Sequence, residues 1–136
     1  MITLTRSDGP EVLFTEDELA CKQTGVVQLA DGFGERLVEL RETFGHPIHV
    51  TNCCRSQASN KSMGGHPRSL HCYIHNAHGL NGAAAIDIAP PRPGLRWRFI
   101  GLAKELGWSL GIAAGFWHLD RRDLAGLTPT VFGYSC

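Results

Sequence analysis

The stretch AAAIDIAPPRPGLRWRFIGLAKELGWSLGIAAGFWHLD, residues 83–120, decides how this chain is built. Residues 83–89 are apolar except for Asp87 and have the length of a buried strand. Pro90-Pro91 ends it, because proline brings no N–H to a ladder. Leu95, Phe99, Leu102, Ala103 and Leu106 then recur at helical spacing and predict an amphipathic helix stopped by Gly107. WSLGIAA and GFWHLD read as two short strands around Gly115.

Upstream, Thr15 and Glu18 stand at capping-box spacing with Phe14 and Leu19 as the flanking apolar pair, so a short helix starts at Thr15 and ends near Lys22-Gln23. Leu37, Leu40, Arg41 and Phe44 share one face of a second helix, with Glu35, Glu39 and Glu42 outward and Gly45-His46-Pro47 as its stop. IHVTNC, residues 48–53, alternates and is β-branched enough for a strand. From Arg55 to Asn81 the composition is Ser, Asn, Gly, His and Pro, which reads as a loop too long to be an idle connection. Helices followed by mixed strands point to an α+β fold, a small and mostly antiparallel sheet flanked by helices, rather than to βαβ alternation. The length fits a single domain over residues 1–136.

A formal net charge of zero excludes the basic footprint of a nucleic-acid binder. No stretch has the apolar length of a membrane span, and MITLTRSDGPEVLF lacks the basic head and apolar run of a signal peptide. The expectation is a monomer made in the cytoplasm, without nucleic-acid or membrane partners. Five cysteines without CxxC spacing support neither a disulfide framework nor a zinc knuckle and read as buried or free thiols. Trp97, Trp108 and Trp117 are assigned to packing, Trp97 together with Leu95 and Phe99 on the third helix, rather than to a sugar groove.

Asp87 lies among Ala85, Ile86, Ile88 and Ala89, and a carboxylate in such surroundings needs a partner. An arginine (Arg55, Arg121 or Arg122) is one solution and a metal ion the other. His118, between Trp117 and Leu119, favours the metal once it is joined to Asp87 and to one of the loop histidines, His66, His71, His75 or His78. Two imidazoles and a carboxylate with an open position form the donor set of a catalytic zinc.

The ordered set Cys54-Arg55-Ser56, Asn60, Gly64-Gly65, Ser69-x-His71, an Ala-rich run to Asp87, and Phe116-Trp117-His118-Leu119-Asp120 resembles the D-alanyl-D-alanine carboxypeptidase family of zinc peptidases. That family includes L-alanyl-D-glutamate endopeptidases, with a fold shared by the hedgehog signalling domain, and the likeness to its short phage-type members covers most of residues 14–122. The resemblance implies one Zn2+ held by His71, Asp87 and His118, with Arg55 gripping a substrate oxygen helped by Ser56 or Ser69. It also implies a peptidoglycan stem peptide as substrate; with that substrate, the lack of a signal peptide and of a separate cell-wall-binding domain fits a phage or prophage lysis factor or a virion-associated enzyme. A metal-activated water, assisted by Asp120 or a loop histidine, would attack a carbonyl polarised by zinc and Arg55.

Two features depart from the family. His71 and Asp87 are separated by CYIHNAHGLNGAAAI, with Ala83 where the pattern has Gly, so either a loop is inserted after His71 or His75 or His78 replaces it as ligand. Gly115, Phe116 and Trp117 also occupy positions where many members carry the general base, leaving Asp120 as the nearest acid. Asp120 either orients water or His118, as strand alternation allows, or simply pairs with Arg121 or Arg122. Three other readings remain beside the peptidase: a zinc-containing binding module without turnover, an HNH-type nuclease suggested by HCYIHNAH, and a cysteine hydrolase.

Overall fold

Thr15 caps the first helix, as its spacing with Glu18 predicts: the Thr15 hydroxyl accepts the Glu18 N–H, and the Glu18 carboxylate accepts the Thr15 N–H at 3.0 Å. In the computed structural model, which describes residues 3–74 and 78–134, this helix, α1 (Glu16–Leu19), is a single turn that stops short of Lys22. Before it stands a hairpin of β1 (Leu4–Thr5) and β2 (Val12–Phe14), too short to announce itself by alternation. The second helix, α2 (Phe33–Phe44), buries Phe33, Leu37, Leu40 and Phe44 and ends on Gly45 in the left-handed region.

Strand β3 (Val50–Asn52) follows, and then the chain makes a helix within the segment whose composition predicts a loop: α3 (Gln57–Ser62). Ser56 is its N-cap, its hydroxyl accepting the Ser59 N–H at 3.1 Å. A polar turn of this kind has little apolar stripe to reveal it. Strand β4 (Ala85–Ile88), helix α4 (Pro93–Glu105), and strands β5 (Ser109–Ile112) and β6 (Trp117–Asp120) stand where residues 83–120 put them. After a 3-10 turn at Arg122–Ala125, β7 (Val131–Gly133) adds an edge.

The result is an α+β fold. The main sheet runs β3-β4-β6-β5-β7, antiparallel except for the parallel pair β5–β7. Alternation divides it into two faces. Ile86, Ile88, Leu110, Trp117 and Leu119 are buried in one core with α2 and α4, where Phe99 meets Phe44 edge-on at 4.9 Å between centroids. Each such side chain contributes about 1.5–3 kcal/mol by leaving water. Trp97 does not join them. It is 88% exposed, because two residues along a helix is about 200° of rotation, which turns it away from Leu95 and Phe99. Trp108 and Trp117 are buried as expected.

Candidate metal centre

The other face of the sheet carries the polar residues, and strand register assembles them. Asp87 on β4 lies directly opposite His118 on β6 and pairs on its other side with Asn52 of β3. His118 in turn faces Gly111 of β5, which faces Phe132 of β7. One row thus crosses all five strands. Gly111 is required there: a Cβ would stand 2.6 Å from the Phe132 ring and 2.7 Å from that of Tyr134, which lean over this position.

The third member of the cluster comes from the long segment after α3. The backbone N–H of Arg55 donates to the His71 carbonyl at 2.8 Å, and the Tyr73 N–H donates to the Arg55 carbonyl at 3.1 Å, tying the segment to the end of β3. Ala84 N–H donates to the Leu70 carbonyl at 2.8 Å, so the chain leaves after His71 and returns beside its own starting point. His71 Nε2 and His118 Nδ1 each lie 3.2 Å from Asp87 Oδ1. The three donor atoms sit within 4.8 Å of one another.

Proton positions decide what this cluster can hold. His71 Nδ1 is 2.7 Å from the Cys53 carbonyl, which can only accept, so the ring's proton is on Nδ1. Burial pushes His71 below its ordinary pKa, ahead of the opposing pull of Asp87, and keeps the imidazole neutral. Its Nε2 lone pair therefore points at a carboxylate oxygen. His118 Nε2 likewise donates to Asp120 Oδ2 at 2.7 Å, which turns Nδ1 toward Asp87. Burial lowers the His118 pKa, but the bonds to Asp120 and Asp87 outweigh it and raise the value. At Asp87 burial is likewise outweighed, here by His118 and His71, which hold its carboxyl well below the usual range. Two imidazole nitrogens and an ionised oxygen converging on one point form a candidate cation site, and His2Asp is a set that suits zinc.

Arg55 closes one side. Its Nε donates to Asn52 Oδ1 at 2.8 Å, Nη1 to Asn60 Oδ1 at 3.2 Å, and Nη2 to Asp87 Oδ2 at 3.1 Å. Arg55 thus takes one carboxylate oxygen of Asp87 and leaves the other facing the two histidines. Gly65 completes the clamp, since a Cβ there would overlap Asn60 Oδ1 at 2.0 Å. Asp120, 1% exposed, stands behind His118: Oδ1 accepts the Arg122 N–H and Nε–H, both at 3.0 Å, and Oδ2 accepts Arg122 Nη2 at 2.8 Å besides His118. Burial is outweighed by His118 and then Arg122, which bring Asp120 to a pKa of about 2. Arg121 is elsewhere, bonded to the Leu106 carbonyl and to Asp123.

The cluster floors a cavity of about 650 Å³ whose walls include Arg55, Ser69, Arg68, Arg122, Phe116 and Tyr134. Ser69 lines it, but Ser56, expected to help Arg55, does not: its hydroxyl caps α3. His78 lines the rim, bonded to the Arg68 carbonyl, and is outside the metal-ligand group; His75 lies outside the described residues. Cys21, Cys53, Cys54 and Cys72 are buried, and among the described residues no cysteine lines the cavity, which leaves a cysteine hydrolase without a nucleophile there. Sequence reasoning missed Asn52, Phe132 and Tyr134; strand register brings the first two to the site, and the bond from the Tyr134 N–H to the Ile112 carbonyl brings the third. Among the described residues no helix is long and apolar enough to cross a membrane.

Comparison with curated proteins and with solved structures gives no match. A family model described as Peptidase M15 matches residues 12–117, most of the chain, taking in Arg55, His71 and Asp87 and ending one residue before His118. With the match covering well over half of the chain and two of the three clustered donors, the chain belongs to the peptidase M15 family of zinc peptidases, the D-alanyl-D-alanine carboxypeptidase and endopeptidase type.

Proposed function

We propose that the protein is a zinc-dependent peptidase that hydrolyses the stem peptides of peptidoglycan. The observation that carries this reading is the pair of ring nitrogens directed at one point by His71 and His118, each ring held by a bond on its far nitrogen, with Asp87 between them. These residues would hold zinc, which supplies Lewis acidity and an activated water in such a site.

The chain's own groups do the rest. Arg55, held on three sides, presents a guanidinium at the cavity floor, suited to a peptide oxygen that gains charge. Asp120 works through His118, because among the described residues its carboxylate bonds only to His118 and Arg122; it keeps the Nε2 tautomer and leaves Nδ1 toward the cluster. Ser69 accepts the His71 N–H at 3.2 Å and steadies the turn that delivers this imidazole.

A binding module that keeps the metal without turnover is the second reading. One observation favours it: the acids lining the cavity, Asp87 and Asp120, both have their oxygens engaged, and among the described residues no glutamate lines it. The test is elemental mass spectrometry on protein loaded with zinc, followed by mass analysis of stem peptides incubated with it. About one zinc per chain, kept in His78→Ala and lost in His71→Ala and His118→Ala, together with a new amine terminus in the peptide, is the expected result. Zinc without cleavage points to the binding module. No zinc in the wild type ends both readings.

A further inference from the structure

Arg68 lines the same cavity and is not used by the metal cluster or by the Arg55 clamp. Its side chain is exposed, yet its backbone is fixed from both sides by the loop histidines. His66 Nδ1 accepts the Arg68 N–H at 3.0 Å, and His78 Nε2, facing a carbonyl that can only accept, donates to the Arg68 oxygen at 3.0 Å. The His66 carbonyl is in turn held by Asn60 Nδ2 at 2.8 Å and by the Ser69 N–H at 2.9 Å. Asn60 is the residue that also holds Arg55 Nη1, so one buried amide spaces the two arginines.

Charge around the cavity then separates Arg68 from the rest. The walls carry three guanidinium groups, Arg55, Arg68 and Arg122, against two carboxylates, Asp87 and Asp120. Arg55 pairs with Asp87 at 3.1 Å and Arg122 with Asp120 at 2.8 Å. Among the described residues Arg68 makes no ion pair. A divalent ion in the cluster adds further positive charge, so the pocket is complementary to an anion rather than to a neutral peptide.

We infer that Arg68 is the carboxylate anchor of this pocket and restricts its substrates to anionic peptides, with the carboxylate seated at the rim that residues 66–69 form. The inference rests on the peptidase reading for the word substrate, but on geometry alone for the anion. Lysine in its place would supply charge without the planar fork that takes both carboxylate oxygens.

Two probe pairs test it and distinguish the source of the carboxylate. Acetyl-D-Ala-D-Ala is compared with its C-terminal amide, and acetyl-L-Ala-D-Glu amide with acetyl-L-Ala-D-Gln amide. Each is titrated by NMR into metal-free protein, where no turnover competes, and KM and kcat are then measured on the zinc-loaded enzyme. In the wild type, at least one acid binds about 10- to 100-fold more tightly than its amide, the range of a charge-assisted bond. Arg68→Ala abolishes that preference and raises KM for the acid far more than it lowers kcat, while Arg68→Lys keeps part of it. Equal binding of acid and amide in the wild type, or a preference that survives Arg68→Ala, overturns the inference. A preference that Arg68→Ala removes, in a protein that cleaves none of the probes, leaves Arg68 as the anchor and instead removes the peptidase reading.

Discussion

Replacing Asp120 with asparagine isolates the support behind the metal cluster. The carboxylate accepts four hydrogen bonds, from His118 Nε2 at 2.7 Å and from three Arg122 donors at 2.8 to 3.0 Å. An amide has one oxygen and an NH2 group, so whichever way it turns, its donor faces another donor. If the NH2 faces His118, the imidazole must present a lone pair on Nε2 and carry its proton on Nδ1, the atom aimed at the cluster. If it faces Arg122, a guanidinium that is 23% exposed loses part of its neutralising pair. Loss of such support behind a metal-ligating histidine costs about 10- to 100-fold in metal affinity, or about 1.4–2.8 kcal/mol. Competition for zinc against a chromophoric chelator measures it directly. Chemical denaturation of the metal-free protein gives the separate cost of the broken pair, of order 1–3 kcal/mol because Arg122 regains water on its exposed side. Zinc affinity in Asp120→Asn within a factor of two of the wild type would refute the assignment of Asp120 to His118.

Other substitutions probe the packing that sets this geometry. Gly111→Ala pushes a methyl group into the Phe132 ring and should cost about 1–3 kcal/mol in chemical denaturation, with part of the loss recovered when combined with Phe132→Ala. Trp108→Ala, which empties a fully buried site, should cost about 3–5 kcal/mol, whereas Trp97→Ala should stay within about 0.5 kcal/mol in the same experiment. Thr15→Ala removes the hydroxyl of the capping box and should cost about 0.5–2 kcal/mol by thermal unfolding.

The legible parts of the sequence are those in which local chemistry and burial agree. Thr15 and Glu18 mark a helix start because a capping box is a contact within four residues, and Asp87 draws notice because an ionised group amid Ala and Ile is costly wherever the strand packs. Helix α3 is hidden because its residues, QASNKS, satisfy their own backbone with polar side chains and bury almost nothing apolar. Trp97 misleads for a different reason: nearness in sequence to Leu95 and Phe99 suggests shared packing, but helical rotation separates them. Strand β7 gives no signal in three residues, and its importance comes from a long-range partner, Gly111.

The spacing between His71 and Asp87, which departs from the family pattern, is explained by where each residue is anchored. Asp87 is placed by pairing of β4 with β3 and β6, and a slip of one residue would turn it into the core. His71 is placed independently, by the backbone bridge from Arg55 to residues 71–73 and by the Cys53 carbonyl at its Nδ1. Between them the chain only has to depart and return, and the bond from Ala84 to Leu70 closes that excursion at its base. Lengthening a closed loop costs little, about 0.6 kcal/mol for each doubling, so extra residues beyond Cys72 leave both donors in register. Meanwhile the excursion returns one of its histidines, His78, to the carbonyl of Arg68, which fixes one rim of the cavity. Length between His71 and Asp87 therefore changes the wall of the pocket while the floor, built from strand register, stays as it is.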